Sequence, residues 1–148
     1  MRDGRRVALP GTVLLAGRGG IKLRILCGAR VGCTNGRRLR RIDFNEMDEM
    51  QVPGMNGGEG TLAARMYNDA AYRIIPTSIH PGGSIGMHVQ ESGDDLNYVL
   101  SGAGMAVCDG VEEPLAPGVM HICPQGSSHS IANTGEDDLV LLTVVVKR

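Results

Sequence analysis

The chain contains no tryptophan, one phenylalanine and three tyrosines in 148 residues. That shortage argues against a base-stacking surface for nucleic acid and against an aromatic platform for sugars. A core must be aliphatic, filled by Val, Ile, Leu and Met, and a 42% hydrophobic content in a chain of this length suffices for one domain without disulfides. No apolar run reaches the roughly 18 residues of a membrane-spanning helix, so no membrane partner is expected and the expected location is the cytoplasm. The cysteines also fall short of a framework. Cys27 and Cys33 stand wider apart than the usual zinc knuckle, while Cys108 and Cys123 lie in strand-like apolar runs where a free thiol packs as a small hydrophobe. No Ser-His-Asp or Cys-His arrangement is suggested, and the glycine-rich stretch 54–60 lacks the Lys-Ser/Thr ending of a phosphate-binding loop.

Charge is unevenly spread. Residues 1–41 carry eleven Arg and Lys against Asp3 alone, whereas residues 42–148 carry four basic and fifteen acidic residues. The basic segment has no serine, no sustained period and no small-x-small cleavage pattern, so it reads as a disordered extension or a misread upstream start rather than a signal or transit peptide. The acidic remainder argues against nucleic acid as a specific ligand. Three parts follow: a basic extension 1–41, an N-terminal arm 42–60 and a folded domain 61–148.

Within that domain, short β-favouring runs alternate with Gly, Pro, Asn and Asp. Strands are expected over 62–67, 72–79, 96–101, 105–108, 111–115, 119–123, 129–132 and 139–146, with Asn68-Asp69, Asp109-Gly110 and Pro117-Gly118 as turns. Asp109-Gly110 should form a tight hairpin. About eight short strands with a turn roughly every ten residues indicate an all-β sandwich or barrel, for which a jelly roll protects the edges. In the arm, 43–50 is expected to form one or two helical turns capped by Asp43 or Asn45, and 54–60 a loop. Met87 and Tyr98 are expected in the core, and Asn133 is expected to hydrogen-bond its own loop.

Two segments carry specific spacing. The second runs Gly118, five residues, Pro124, one residue, Gly126, two residues, His129, three residues, Asn133; the first runs Gly82, five residues, His88, then Gln90, Asp95 and Gly102. Together they resemble the paired motifs of the cupin superfamily, over about residues 61–146. The second motif is matched at every fixed position. In the first, Gln90 stands where the family has a second histidine and Asp95 where it has glutamate. The resemblance implies a small jelly-roll β-barrel with a short N-terminal arm, a metal inside it, and pairing of barrels as a homodimer, with the arm placed to reach the partner.

It also implies a ligand set: His88, Gln90, Asp95 and His129. Alternate strand residues share a face, so His88 and Gln90 should point together into the barrel. Two imidazoles with one carboxylate suit a transition metal and leave positions open. An amide oxygen in place of imidazole is a harder, weaker donor, which favours Mn or Fe over the still possible Zn or Ni. Aspartate is shorter than glutamate by about 1.5 Å, more than a metal bond tolerates unless the strand moves. Gln90 is then either a ligand or a substrate-binding amide, Asp95 either a ligand or a solvated turn carboxylate, and Glu91 an alternative donor that strand alternation points away. His80 and His121 lie outside the motifs. His121 either packs in its strand or faces the cavity as an acid/base or supporting group.

Three functions remain open. One is a cupin that binds a small anionic or hydroxylated metabolite, with a divalent metal. The second is a metal-dependent enzyme, since dioxygenases, isomerases, decarboxylases and lyases all occur on this fold. The third is a metal-free structural barrel. The altered first motif favours the first and third over the second.

Overall fold

Asp109 and Gly110 both adopt positive φ, 48° and 82°, and turn the chain from one strand straight back into the next. That is the hairpin the dipeptide predicts, because two consecutive left-handed residues match the twist of the flanking strands. The computed structural model describes residues 41–148. Expectations for the basic segment, of which only Arg41 is included, and for Cys27 and Cys33 lie outside the described residues.

The described residues form eleven strands, in order β1 (Met50–Pro53), β2 (Thr61–Ala64), β3 (Tyr67–Asn68), β4 (Tyr72–Ile79), β5 (Ser84–Val89), β6 (Gly93–Ser101), β7 (Gly104–Cys108), β8 (Val111–Leu115), β9 (Met120–Cys123), β10 (Ser128–Asn133) and β11 (Leu139–Lys147). One antiparallel sheet has the order β1-β2-β4-β11-β6-β9, with β3 also on β4; the other has the order β5-β10-β7-β8. The two-sheet jelly roll is the all-β class expected. β4 and β8 occupy the expected spans, and the other expected strands shift by a few residues. Residues 62–67 do not form one strand but two short ones, since Arg65 and Met66 leave the ladder between β2 and β3.

The arm differs more. Only Phe44–Glu46 turns as a 3₁₀ helix, capped by the Asp43 side chain accepting from the Asn45 amide, while Met50 opens a strand instead of closing a helix. A single turn gains too few hydrogen bonds to persist, whereas β1 finds a complete partner in β2. The glycine cluster is a loop with one 3₁₀ turn at Met55–Gly57. It lies hard against β5. A Cβ on Gly58 would come within 2.2 Å of the Ser84 carbonyl oxygen, and one on Gly86 within 2.3 Å of the Asn56 carbonyl oxygen, so only glycine fits at either position.

Core packing follows strand parity. Leu62, Ala64, Ile79, Val99, Ala106, Leu115, Ile131, Leu139 and Leu141 form the buried cluster between the sheets. Met87 and Tyr98 are not part of it: they are 54% and 37% exposed, because their positions alternate with His88 and with Asn97 and fall on the outer faces. Asn133 does more than brace its loop. Its amide donates to the Asp137 and Ile79 carbonyls and accepts from the Gly135 amide, tying the β10–β11 turn to β4. Among the described residues, no helix is long and apolar enough to cross a membrane.

Candidate functional site

His88 and His129 face each other directly across β5 and β10, with ring centroids 4.6 Å apart. Their meeting depends on an irregularity. Ile131 pairs with Ile85 and His129 with His88, so β5 spends one more residue than β10 over the same span. This bulge lets Ile85 and His88, three residues apart, both point inward. His88 Nδ1 lies 2.9 Å from the Gly86 carbonyl oxygen, which only accepts; the ring therefore carries its proton there and keeps a lone pair on Nε2.

From the larger sheet, β6 brings Asp95 and Asn97 to the same inner face. Thr143 on β11 donates to Asn97 Oδ1 at 2.6 Å, and Asn97 Nδ2 donates to Asp95 Oδ1 at 3.1 Å. Asp95 Oδ2 lies 3.5 Å from His129 Nε2. The shorter side chain thus approaches the imidazole without bonding to it, and Glu91 does not take its place: it is exposed and lends its backbone carbonyl to Gln125. Gln90 follows the end of β5 and is buried. All four sequence-derived residues line one cavity of about 250 Å³, together with Arg73, Asn97, Thr143 and an apolar wall that includes Met50, Val52, Met55 and Ile85.

Burial sets the electrostatics. It pushes the Asp95 carboxyl up to about 6, with the opposing pull of His88, the Asn97 hydrogen bond, His121 and Arg73 only partly offsetting it. It holds the His129 imidazole down to about 4, with His88 and His121 adding in the same direction. Near neutral pH the pair is therefore a carboxylate beside a neutral imidazole. Among the described residues, two buried side-chain atoms find no hydrogen-bond partner, His129 Nε2 and Gln90 Nε2. Unpaired polar atoms at this depth are costly, and both belong to the expected ligand set. An oxygen–nitrogen donor set with an orphaned imidazole nitrogen fits a divalent cation. Among the described residues no three His, Cys, Asp or Glu form a ready ligand cluster, so a cation here would depend on the Gln90 amide as well.

The other candidates separate cleanly. His80 pairs with Asp138 at the surface, 2.9 Å away. Burial drives the Cys123 thiol up to about 12, as suits a packed thiol rather than a nucleophile. His121 is buried behind the cavity, joined to His129 at 3.1 Å and to Glu113 at 2.5 Å. Sequence reading missed Glu113 and Arg73. Parity held the signal: Glu113 shares a strand face with Leu115, and Arg73 with Ile75 and Ile79, so each is a charge on a core-facing row.

Comparison with known proteins agrees with this fold. The family model described as "Cupin domain" matches residues 77–145. The chain is 30% identical over 111 residues to the oxalate-binding protein of Thermotoga maritima, covering 71% of this chain and 92% of that one. Among solved structures, a predicted oxalate decarboxylase of T. maritima superposes with a TM-score of 0.69 at 27% identity, over 74% of this chain and 100% of the other. An RmlC-like cupin from Shewanella frigidimarina superposes with a TM-score of 0.62 at 14% identity, over 75% and 93% of the two chains, a likeness of fold alone.

Proposed function

Because this chain belongs to the cupin superfamily, we propose that it binds a small carboxylate-bearing metabolite in its barrel, through a divalent metal ion held by His88, His129, Asp95 and the Gln90 amide oxygen. The observation that carries this reading is the buried His129 Nε2, aimed at Asp95 and lacking any hydrogen-bond partner. A cation would take the lone pairs of His129 Nε2 and Asp95 Oδ2 at once. The two hard oxygen donors beside the imidazoles favour Mn or Fe, and the bound ion would supply a Lewis-acidic anchor for ligand oxygens.

Arg73 supports an anionic ligand, as the sole Arg or Lys of the described residues in the cavity lining. A relative described as oxalate-binding supports a short dicarboxylate. The test is titration of chelator-stripped protein with Mn(II), then with oxalate. One ion per chain is expected for the wild type, with loss of binding in His129→Ala and His88→Ala. Equal, sub-stoichiometric metal in all three proteins would end the reading.

The partner we propose on the outer face of the larger sheet is a second copy of this chain. Tyr98, Leu100, Met120 and Ile122 are exposed there on the neighbouring strands β6 and β9, a cluster of large apolar side chains that a second copy could cover. Light scattering after size exclusion should give about twice the 15.7 kDa chain mass, and a monomer would refute the dimer.

A further inference from the structure

Behind His129 of the proposed ligand set, two further side chains that the set does not use continue a line away from the cavity. Glu113 Oε2 lies 2.5 Å from His121 Nδ1, and His121 Nε2 lies 3.1 Å from His129 Nδ1. The three residues come from three strands. Glu113 sits on β8 and His121 on β9, the outermost strands of the two sheets, so their hydrogen bond crosses where the sheets' edges meet. His121 is completely enclosed, with its ring 19° from parallel to that of His129, while the Glu113 side chain is 45% exposed. Neither Glu113 nor His121 lines the cavity.

The proton positions follow from what each group can do. An ionised carboxylate only accepts, so His121 carries its proton on Nδ1. The neutral ring then offers only a lone pair at Nε2. His129 must meet it with a proton on Nδ1, which leaves His129 Nε2 as a lone pair toward the cavity. The opposite arrangement needs a second proton on enclosed His121, and it points a His129 Nε2–H at Asp95 across 3.5 Å, beyond good hydrogen-bond reach.

We infer that Glu113 and His121 are positioning residues that lock His129 in its Nδ1–H tautomer, so that Nε2 stands ready as a ligand. The purpose of the lock rests on the metal-binding reading above. Its existence does not, because a tautomer is measurable in metal-free protein.

The experiment is ¹⁵N NMR of the histidine rings in the full metal-free chain, paired with chelator-competition measurement of Mn(II) affinity. Wild type should show His129 protonated at Nδ1 and bare at Nε2. His121→Phe removes the acceptor and should shift the ring toward the Nε2–H form, with metal affinity falling about 10–100-fold. His121→Gln, whose side-chain oxygen can accept the same proton, should restore both. Glu113→Gln should give mixed tautomers at His121 and His129, and decides the matter even if His121→Phe does not fold. A purely structural stitch would lower stability in these variants without moving the tautomer, and that result overturns the inference. So does an Nε2–H ring in the wild type. If the wild type shows the expected tautomer but takes no metal, the lock stands and the metal reading falls; full affinity in variants whose tautomer has shifted leaves the metal reading and overturns the lock's purpose.

Discussion

The same strands line two opposite ends of the barrel interior, and the ends differ in kind. At one end Ile79, Val99, Leu139 and Leu141 are completely buried against one another. Farther along those strands the inward rows become Thr77 and Arg73 on β4, Asn97 and Asp95 on β6, and Thr143 on β11. The apolar end stabilises the fold by removing surface from water. The polar end holds groups whose burial opposes folding, a cost that the proposed binding site would explain.

The largest effect should come from breaking the apolar end. Leu141→Ala leaves a cavity and should cost about 2–5 kcal/mol in urea unfolding, with Mn(II) affinity unchanged. A stability close to wild type would show that this end is not the stabilising one.

The next test exposes the opposing titrations of the polar end in metal-free protein. Asp95, raised to about 6, keeps its proton in the native state where the unfolded chain has lost it; the stability it contributes is complete below about 3.8 and is lost as pH rises through 6. His129, held to about 4, stays neutral where the unfolded chain is protonated. Its contribution is therefore complete above 6.5 and is lost as pH falls through 4. Between about 4 and 6 the slopes oppose each other. Asp95→Asn should leave the His129 slope alone, so that stability relative to wild type falls by about 1.4 kcal/mol per pH unit on acidification through this window. His129→Gln should tilt the other way. Parallel curves for all three proteins would refute the assignment.

Smaller effects sharpen the contrast. If the metal-loaded protein binds oxalate as proposed, Arg73→Met should weaken that binding about tenfold with little change in unfolding midpoint, since the charge serves the ligand and not the core. Thr143→Val strands Asn97 Oδ1 and should cost about 1 kcal/mol, read by thermal unfolding. An unchanged melting temperature would mean that water replaces the hydroxyl.

Much of this was legible in the sequence where local chemistry decides. Asp109-Gly110 had to turn, β4 and β8 announced their spans, and the spacing around His88 and His129 announced a shared site. What stayed hidden depends on partners distant in the chain. β1 exists because β2 is there to pair with it, a relation absent from the local pattern of Met50–Pro53. Whether Asp95 could reach was a question of ångströms between strands, which spacing does not encode. Glu113 lay in plain view on a core-facing row, but its meaning required knowing that β8 ends beside β9.

The tight crossing of Gly58 over β5 has one more consequence. It pins Met55 and Asn56 as part of the cavity wall, beside Met50, Val52, Leu62 and Ala64, all of which precede the stretch 77–145 that matches the family model. A fragment cut to that matched stretch would keep His88, Gln90, Asp95 and His129 but lose one bank of the vessel, becoming a trough open to solvent. Water would then reach the imidazoles, and the desolvation that separates the Asp95 and His129 titrations would drain away with the missing side.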